Sequence, residues 1–172
     1  HFKGGLKLPH VVFAGARFWP RDDLSVELDL QWVQWSSYDV LRFELSEGMV
    51  LGPVARQMTL EEKKGWHDAV QVRLGAEWVG LDEHLAVRLG FLWDQNPVPD
   101  WSLDPSLPDT QRVMPCVGLG TQWAGVYVDL AYMPVFGLTR SVDADSGAPM
   151  AGTYKALTHD VTFTLGYHWD QL

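Results

Sequence analysis

An all-β chain, built as an antiparallel transmembrane barrel of outer-membrane type with about seven long strands, is the fold class this sequence predicts. Three observations carry it. Apolar and polar residues alternate with a period of two. Large aromatics stand near the strand ends. The connections between strands are alternately short and long.

The C-terminal segment shows the alternation best. Val161, Phe163, Leu165, Tyr167 and Trp169 alternate with Asp160, Thr162, Thr164, Gly166 and His168. One face is large and oily and the other small or polar, as in a strand with one face against an apolar medium. The first strand, about His10 to Trp19, is apolar on both faces, and its sides cannot be assigned from the sequence. The second runs from about Leu24 to Leu45, with Leu24, Val26, Leu28, Leu30 and Trp32 on one face. Its register shifts near Ser36 and Ser37, and a reading as two strands with a turn there stays open. Further strands place Val70, Val72, Leu74, Ala76 and Trp78 on one face, then Leu85, Val87, Leu89, Phe91 and Trp93, interrupted by Leu92 on the other. Val117, Leu119, Thr121 and Trp123 follow, then Val126, Val128, Leu130 and Tyr132.

A soluble β-sandwich also buries one face of each strand. A transmembrane barrel turns the apolar face to lipid and the polar face to the lumen. Trp32, Trp78, Trp93, Trp123, Tyr167 and Trp169 lie near strand ends on the apolar faces, where an aromatic girdle belongs. The opposite faces carry Glu27, Asp29, Arg73, Glu77, Arg88, Asp129 and Asp160. Short turns near Pro20–Asp23, Gly80–Glu83 and Ala124–Gly125 alternate with long connections over 46–64, 95–110 and 137–152. Outer-membrane barrels show this asymmetry, with short turns in the periplasm and long loops outside. The sandwich has no reason to produce it.

Composition narrows the function. A formal net charge of -9 argues against a nucleic-acid surface, which needs clustered Lys and Arg. Cys116 is the single cysteine, so no disulfide can form within the chain. No apolar run approaches the roughly 20 residues of a transmembrane helix. The chain begins at His1 rather than Met and reads as a processed chain or a fragment. His67, His84, His159 and His168 have no metal-ligand spacing, and no catalytic motif or cofactor signature is evident. An open seven-stranded sheet exposes unpaired backbone at both edges, each group costing several kcal/mol in hydrocarbon. The working molecule is therefore expected to contain more chain or more copies.

Several strings resemble one family. They are Trp32–Tyr38, Trp66–Val70, Arg73–Trp78, Leu89–Asp100, Leu107–Arg112, Gly118–Gly120 and Asp129–Tyr132. In order and spacing they are similar to the C-terminal half of the FadL/TodX outer-membrane transport proteins, over about Leu8 to Trp169. The Asn-Pro-Val-Pro-Asp stretch of Asn96–Asp100, with Leu-Pro-Asp and an Arg about a dozen residues on, is the most specific element.

The resemblance implies half of a fourteen-stranded barrel, with residues 1–172 the C-terminal part of one barrel domain. The N-terminal plug and first strands correspond to nothing here. It implies an outer-membrane location, contact with outer-membrane lipid, and passive transport of long-chain fatty acids or other hydrophobic small molecules. The family's route runs from capture at the outside loops, through a lumen site, to release governed by the plug. A structural or interaction barrel of a surface or secretion assembly is the alternative, and a soluble binding sandwich the second.

The candidate substrate-binding residues in the lumen are Arg73 and Arg88, with Glu77 and Asp94 as the nearest acids on the same face. A guanidinium suits bidentate carboxylate binding. The two arginines are expected to be near cross-strand neighbours, and the other reading of these charges is a mutual ion-pair network. Met133, Phe136, Met150 and Tyr154 flank an outside loop, as girdle residues or as the lip of a hydrophobic groove.

Overall fold

The computed structural model describes residues 2–5, 7–45, 58–104, 109–149 and 151–169. Its strands are β1 (Phe2–Gly5), β2 (Val11–Arg21), β3 (Leu24–Val33), β4 (Val40–Leu45), β5 (Met58–Lys63), β6 (Ala69–Gly80), β7 (Leu85–Asp94), β8 (Arg112–Trp123), β9 (Val126–Val142) and β10 (Gly152–Tyr167). Seven of them form one antiparallel sheet in the order β10-β9-β8-β7-β6-β3-β2. The other three form a small sheet, β1-β4-β5. No α-helix occurs among the described residues.

The seven-stranded sheet is inside out by the standards of a soluble protein. Val26, Ala76, Leu89, Val117, Tyr132 and Val161 follow one another across β3, β6, β7, β8, β9 and β10 as direct partners. That row is the solvent-facing one: Leu89 is 60% exposed and Val161 68%. The opposite face holds the polar residues and is the better covered; Ser25, Gly118 and Gly120 are buried. Among the described residues no second sheet covers the apolar side, which disposes of the sandwich. This is the one-sided wall of a lipid-facing barrel.

The apolar band has the right height. Its lowest row is Trp123, Val126 and Tyr167, and its highest is Trp93, Val113, Phe136 and Leu157. Val126 and Phe136 are ten residues apart in β9. At about 3.3 Å per residue and a tilt of about 40°, that is about 25 Å, the thickness of an outer-membrane band. Trp78, Trp123, Tyr167 and Trp169 border it below, and Trp78 Nε1 donates to Asp23 Oδ2 at 2.9 Å. A ring with a dry body and one polar contact belongs at a membrane interface.

All three short turns lie at this lower end. Ala124 (φ 48°) and Gly125 (φ 81°) form a two-residue hairpin with both residues left-handed, the arrangement that matches strand twist. Leu81, Asp82 and Glu83 also have positive φ, at 52°, 53° and 68°.

Four expectations change. The first strand acquires sides: Val12, Ala14, Ala16 and Phe18 pair with Trp32, Leu30, Leu28 and Val26 on the lipid face, while Arg17 pairs with Glu27 on the lumen face. The long second strand is broken. A 3-10 turn at Trp35–Ser37 ends the barrel strand, and β4 then pairs with β1 and β5 outside the barrel. Trp35 and Tyr38 turn inward onto Trp66 at ring distances of 5.2 and 4.9 Å, and this packing outweighs continuation of the strand. The connection placed at 137–152 shortens to 143–151, because β9 and β10 run on as a hairpin to the Val142–Gly152 pair. Part of the connection at 46–64 is likewise strand β5; residues 46–57 lie outside the described residues.

Candidate functional site

The polar face is organised in layers along the barrel axis. The lower layer is a relay of alternating charge. Arg17 Nη2 donates to Ser25 Oγ at 2.7 Å and to Glu77 Oε1 at 2.9 Å. Arg88 Nε donates to Glu77 Oε2 at 2.6 Å, and its Nη1 to Asp129 Oδ1 at 2.6 Å. The relay crosses β2, β6, β7 and β9. It passes over β8 because Gly118 and Gly120 leave room there: a Cβ on Gly120 would meet Arg88 Nη1 at 2.8 Å and Asp129 Oδ1 closer still.

A layer of small residues lies above it. Gly75, Gly90 and Cys116 are direct partners across β6, β7 and β8. A Cβ added at Gly75 would meet nothing within 4 Å. Higher still, Arg73 donates to Gln31 Oε1 at 2.8 Å and to Gln71 Oε1.

The upper end is covered by the Pro-rich loop. His67 N donates to Pro97 O at 2.9 Å, and Val70 N to Gln95 Oε1 at 3.1 Å. Arg140 clamps the loop to β9, donating to Val98 O and Asp109 O at 2.7 Å and to Asp100 Oδ1 at 2.6 Å. Val98, Leu103 and Val142 form a small core there, with Trp66, Ala148 and Tyr154 packed against it.

Between loop and wall lies a cleft of about 470 Å³. Val33, Trp35, Trp66, Val70, Pro97 and Val98 make it apolar; Gln31, Gln71, Asp94, Asp109 and Arg112 supply polar groups. Arg112 Nη2 donates to Asp94 Oδ2 at 2.6 Å and approaches Asp109 at 3.7 Å. Two buried donors that line the cleft, Trp66 Nε1 and Arg112 Nε, have no hydrogen-bond partner. Buried donors in native proteins are nearly always paired, so two orphans in one cleft suit a ligand that carries an acceptor.

The sequence-derived residues therefore separate. Arg73 and Arg88 are not cross-strand neighbours. Arg88 pairs with Glu77, and Arg73 with Leu92, four residues or about 13 Å further along β7. Arg73 supports Gln31 and Gln71 in the cleft, while Arg88 and Glu77 belong to the relay below. Asp94 lines the cleft with Arg112. Met133 shares the lumen face with Asp129, Phe136 the lipid face with Tyr132, and Tyr154 joins the loop core. Met150 lies outside the described residues. Sequence reasoning missed Arg17, Trp66, Arg112 and Arg140. Their roles depend on pairings across strands and on a loop folding inward.

Comparison with known proteins agrees with this architecture. A family model described as outer membrane protein transport protein (OMPP1/FadL/TodX) matches residues 3–169. The chain belongs to this family. A long-chain fatty acid transport protein from Salmonella typhi is 26% identical over 114 residues, covering 63% of this chain and 24% of that protein. The crystal structure of a Pseudomonas aeruginosa FadL homologue superposes with a TM-score of 0.67 at 20% identity, covering 90% of this chain and 33% of that one. The match thus spans a third or less of either relative's length. The FadL/TodX family comprises transport proteins of the outer membrane, and the expected barrel fold and family are borne out. Among the described residues no group of three or more His, Cys, Asp or Glu could hold a metal ion.

Proposed function

We propose that this chain is the C-terminal part of an outer-membrane barrel that passes hydrophobic small molecules passively, and that it supplies their capture cleft. The cleft carries the reading. Its walls are indole, Val and Pro, and its unsatisfied donors and Arg112 suit the carboxylate of a long-chain fatty acid. In this reading the long connections face outside, so the cleft lies at the outer mouth and the charge relay towards the periplasm.

Strand parity supports completion by further chain rather than by copies. With seven alternating strands, β2 and β10 run in the same direction. A second copy in the same membrane orientation would set β10 parallel to β2, whereas every pair here is antiparallel. A complementary segment with an odd number of opposed strands closes the barrel without that defect.

The test uses the complete barrel at matched folded amounts. Val70→Trp, which fills the cleft, is expected to reduce uptake of a long-chain fatty acid and of an alkane of equal length. Arg112→Gln is expected to reduce uptake of the acid selectively. Unchanged uptake of both compounds with the cleft filled would remove the basis of this reading.

A further inference from the structure

The cleft wall holds more acid than base. Its lining carries one cation, Arg112 of β8, and two carboxyl groups, Asp94 of β7 and Asp109 of the roofing loop. Arg112 Nη2 stands 2.6 Å from Asp94 Oδ2 and 3.7 Å from Asp109 Oδ1. Among the described residues Arg112 Nη1 and Nε have no partner. A carboxylate entering the cleft has these donors to meet. It also meets two acids already gathered about them. With all groups ionised, three anions would surround one guanidinium. Carboxylates held that close do not all stay charged, and one of them takes a proton.

Asp109 is placed to take it. Protonating Asp94 would break the 2.6 Å ion pair that fixes Arg112. Protonating Asp109 breaks nothing so short. Its Oδ1 accepts from the Thr110 amide at 2.9 Å, and its Oδ2 accepts no hydrogen bond among the described residues. Burial already raises its carboxyl above the ordinary value, more than Arg112 lowers it. The other charges facing it are Asp94, which raises it further, and Arg140 of β9, which lowers it. Arg140 is itself committed to Asp109 O, Val98 O and Asp100 Oδ1. The β3 and β6 sides of the cleft contribute Gln31, Trp66 and Gln71, which are uncharged.

We propose that Asp109 couples capture to a proton: an anionic amphiphile enters the cleft together with one proton from solution, which Asp109 holds. This rests on the cleft being the capture site, and adds the charge state in which it captures. The proton binds Asp109 Oδ2, and the new O–H donates to an oxygen of the ligand. The ligand stays an anion beside Arg112, and no bond within it changes. Where Asp109 is ionised in the empty cleft, binding of an anion takes up a proton. Its affinity then weakens as pH rises, by up to about tenfold per pH unit. An uncharged chain of the same length takes up none. The cleft therefore sorts its ligands by charge as pH changes.

Isothermal titration calorimetry counts the protons. The complete barrel in lipid nanodiscs is titrated with decanoate, decanesulfonate and decanol at several pH values from mild acid to neutral. Each titration is repeated in buffers of different ionisation heat. Heat that survives Val70→Trp arises outside the cleft and is subtracted. Decanoate and decanesulfonate are expected to bind with uptake of up to one proton, and decanol with none. Decanesulfonate stays ionised throughout, so its gain of affinity in acid cannot come from its own titration. In Asp109→Asn the uptake with both anions should vanish, and their affinity at neutral pH should rise. Anion binding without uptake in the parent, or uptake that persists in Asp109→Asn, overturns the coupling and leaves the cleft as the capture site. Equal uptake with decanol also overturns it, because the proton then belongs to loop closure and not to the ligand's charge. Ligand heat that ignores Val70→Trp removes the capture site, and the coupling with it.

Discussion

Arg88 reaches Asp129 across the full width of β8, Nη1 to Oδ1 at 2.6 Å, while its Nε holds Glu77 on the other side. A guanidinium so engaged has little left to offer a ligand. We expect Arg88→Gln to leave fatty acid uptake unchanged per folded barrel. Stability should fall by about 1 kcal/mol, since these side chains are part-exposed and such pairs are individually weak. Denaturant unfolding in vesicles, beside an uptake assay, checks both. Selective loss of acid uptake would return Arg88 to the binding site.

The same relationship makes Gly120 a spacer. Gly120→Val would push a side chain between Arg88 and Asp129, where even a Cβ has no room. Its stability loss should overlap with that of Asp129→Asn, the double variant costing little more than Gly120→Val alone. Additive losses would mean that the glycine serves something other than the pair.

The lipid face makes a sharper distinction. Leu89 and Leu165 are 60% and 65% exposed on the apolar band. Arg at Leu89, in the Val117–Tyr132–Val161 row midway up the band, should cost about 2–4 kcal/mol, and Arg at Leu165, one row above the lower edge, should cost less. Thr164, on the other face beside Asp129, should accept Arg at much lower cost because the lumen hydrates it. Equal costs would contradict the assignment of faces.

The barrel strands were legible because a lipid-facing wall writes its pattern at a period of two, and Val161 to Trp169 or Val70 to Trp78 carry it without exception. β2 was not, since Val11 and Phe13 put apolar residues on the lumen face as well. The β9–β10 hairpin beyond the membrane was invisible because both its faces leave lipid, so Leu138–Val142 and Thr153–Ala156 lose the alternation. Arg73 and Arg88 share the polar face of the sheet, Arg73 opposite Asp29 and Arg88 opposite Glu77. Their separation was misjudged because register depends on the turn at 81–84, whose three left-handed residues have no Gly to announce them. Arg112 and Asp94 are eighteen residues apart in sequence yet 2.6 Å apart in space, which strand pairing alone reveals.

Topology can be probed directly. Residues 143–149 should be reached by an impermeant label on intact cells, through Cys substitutions at Asp143 or Asp145, which are exposed. Leu81–His84 should be reached only after the outer membrane is opened. The reverse pattern would invert the barrel and move the cleft to the periplasmic mouth.

The loop that roofs the cleft should respond to acid. Burial is the dominant influence on Asp109 and raises its carboxyl above the ordinary value, while Arg112 and the Thr110 amide pull it down less strongly. A carboxyl whose folded value is raised binds protons more tightly when the loop is docked than when it is released. Between the unperturbed value and the raised one, the docked loop therefore holds more protons, and docking weakens as pH rises through that window. Above the window the loss is complete and constant. The docked loop should thus be more stable in mild acid than at neutral pH. Asp109→Asn should flatten the dependence and strengthen docking at neutral pH. Hydrogen exchange at His67 N, which donates to Pro97 O only while the loop is down, measures this. Protection that grows from acid to neutral pH, after correction for intrinsic exchange rates, would show that the Arg112 attraction and not burial governs Asp109.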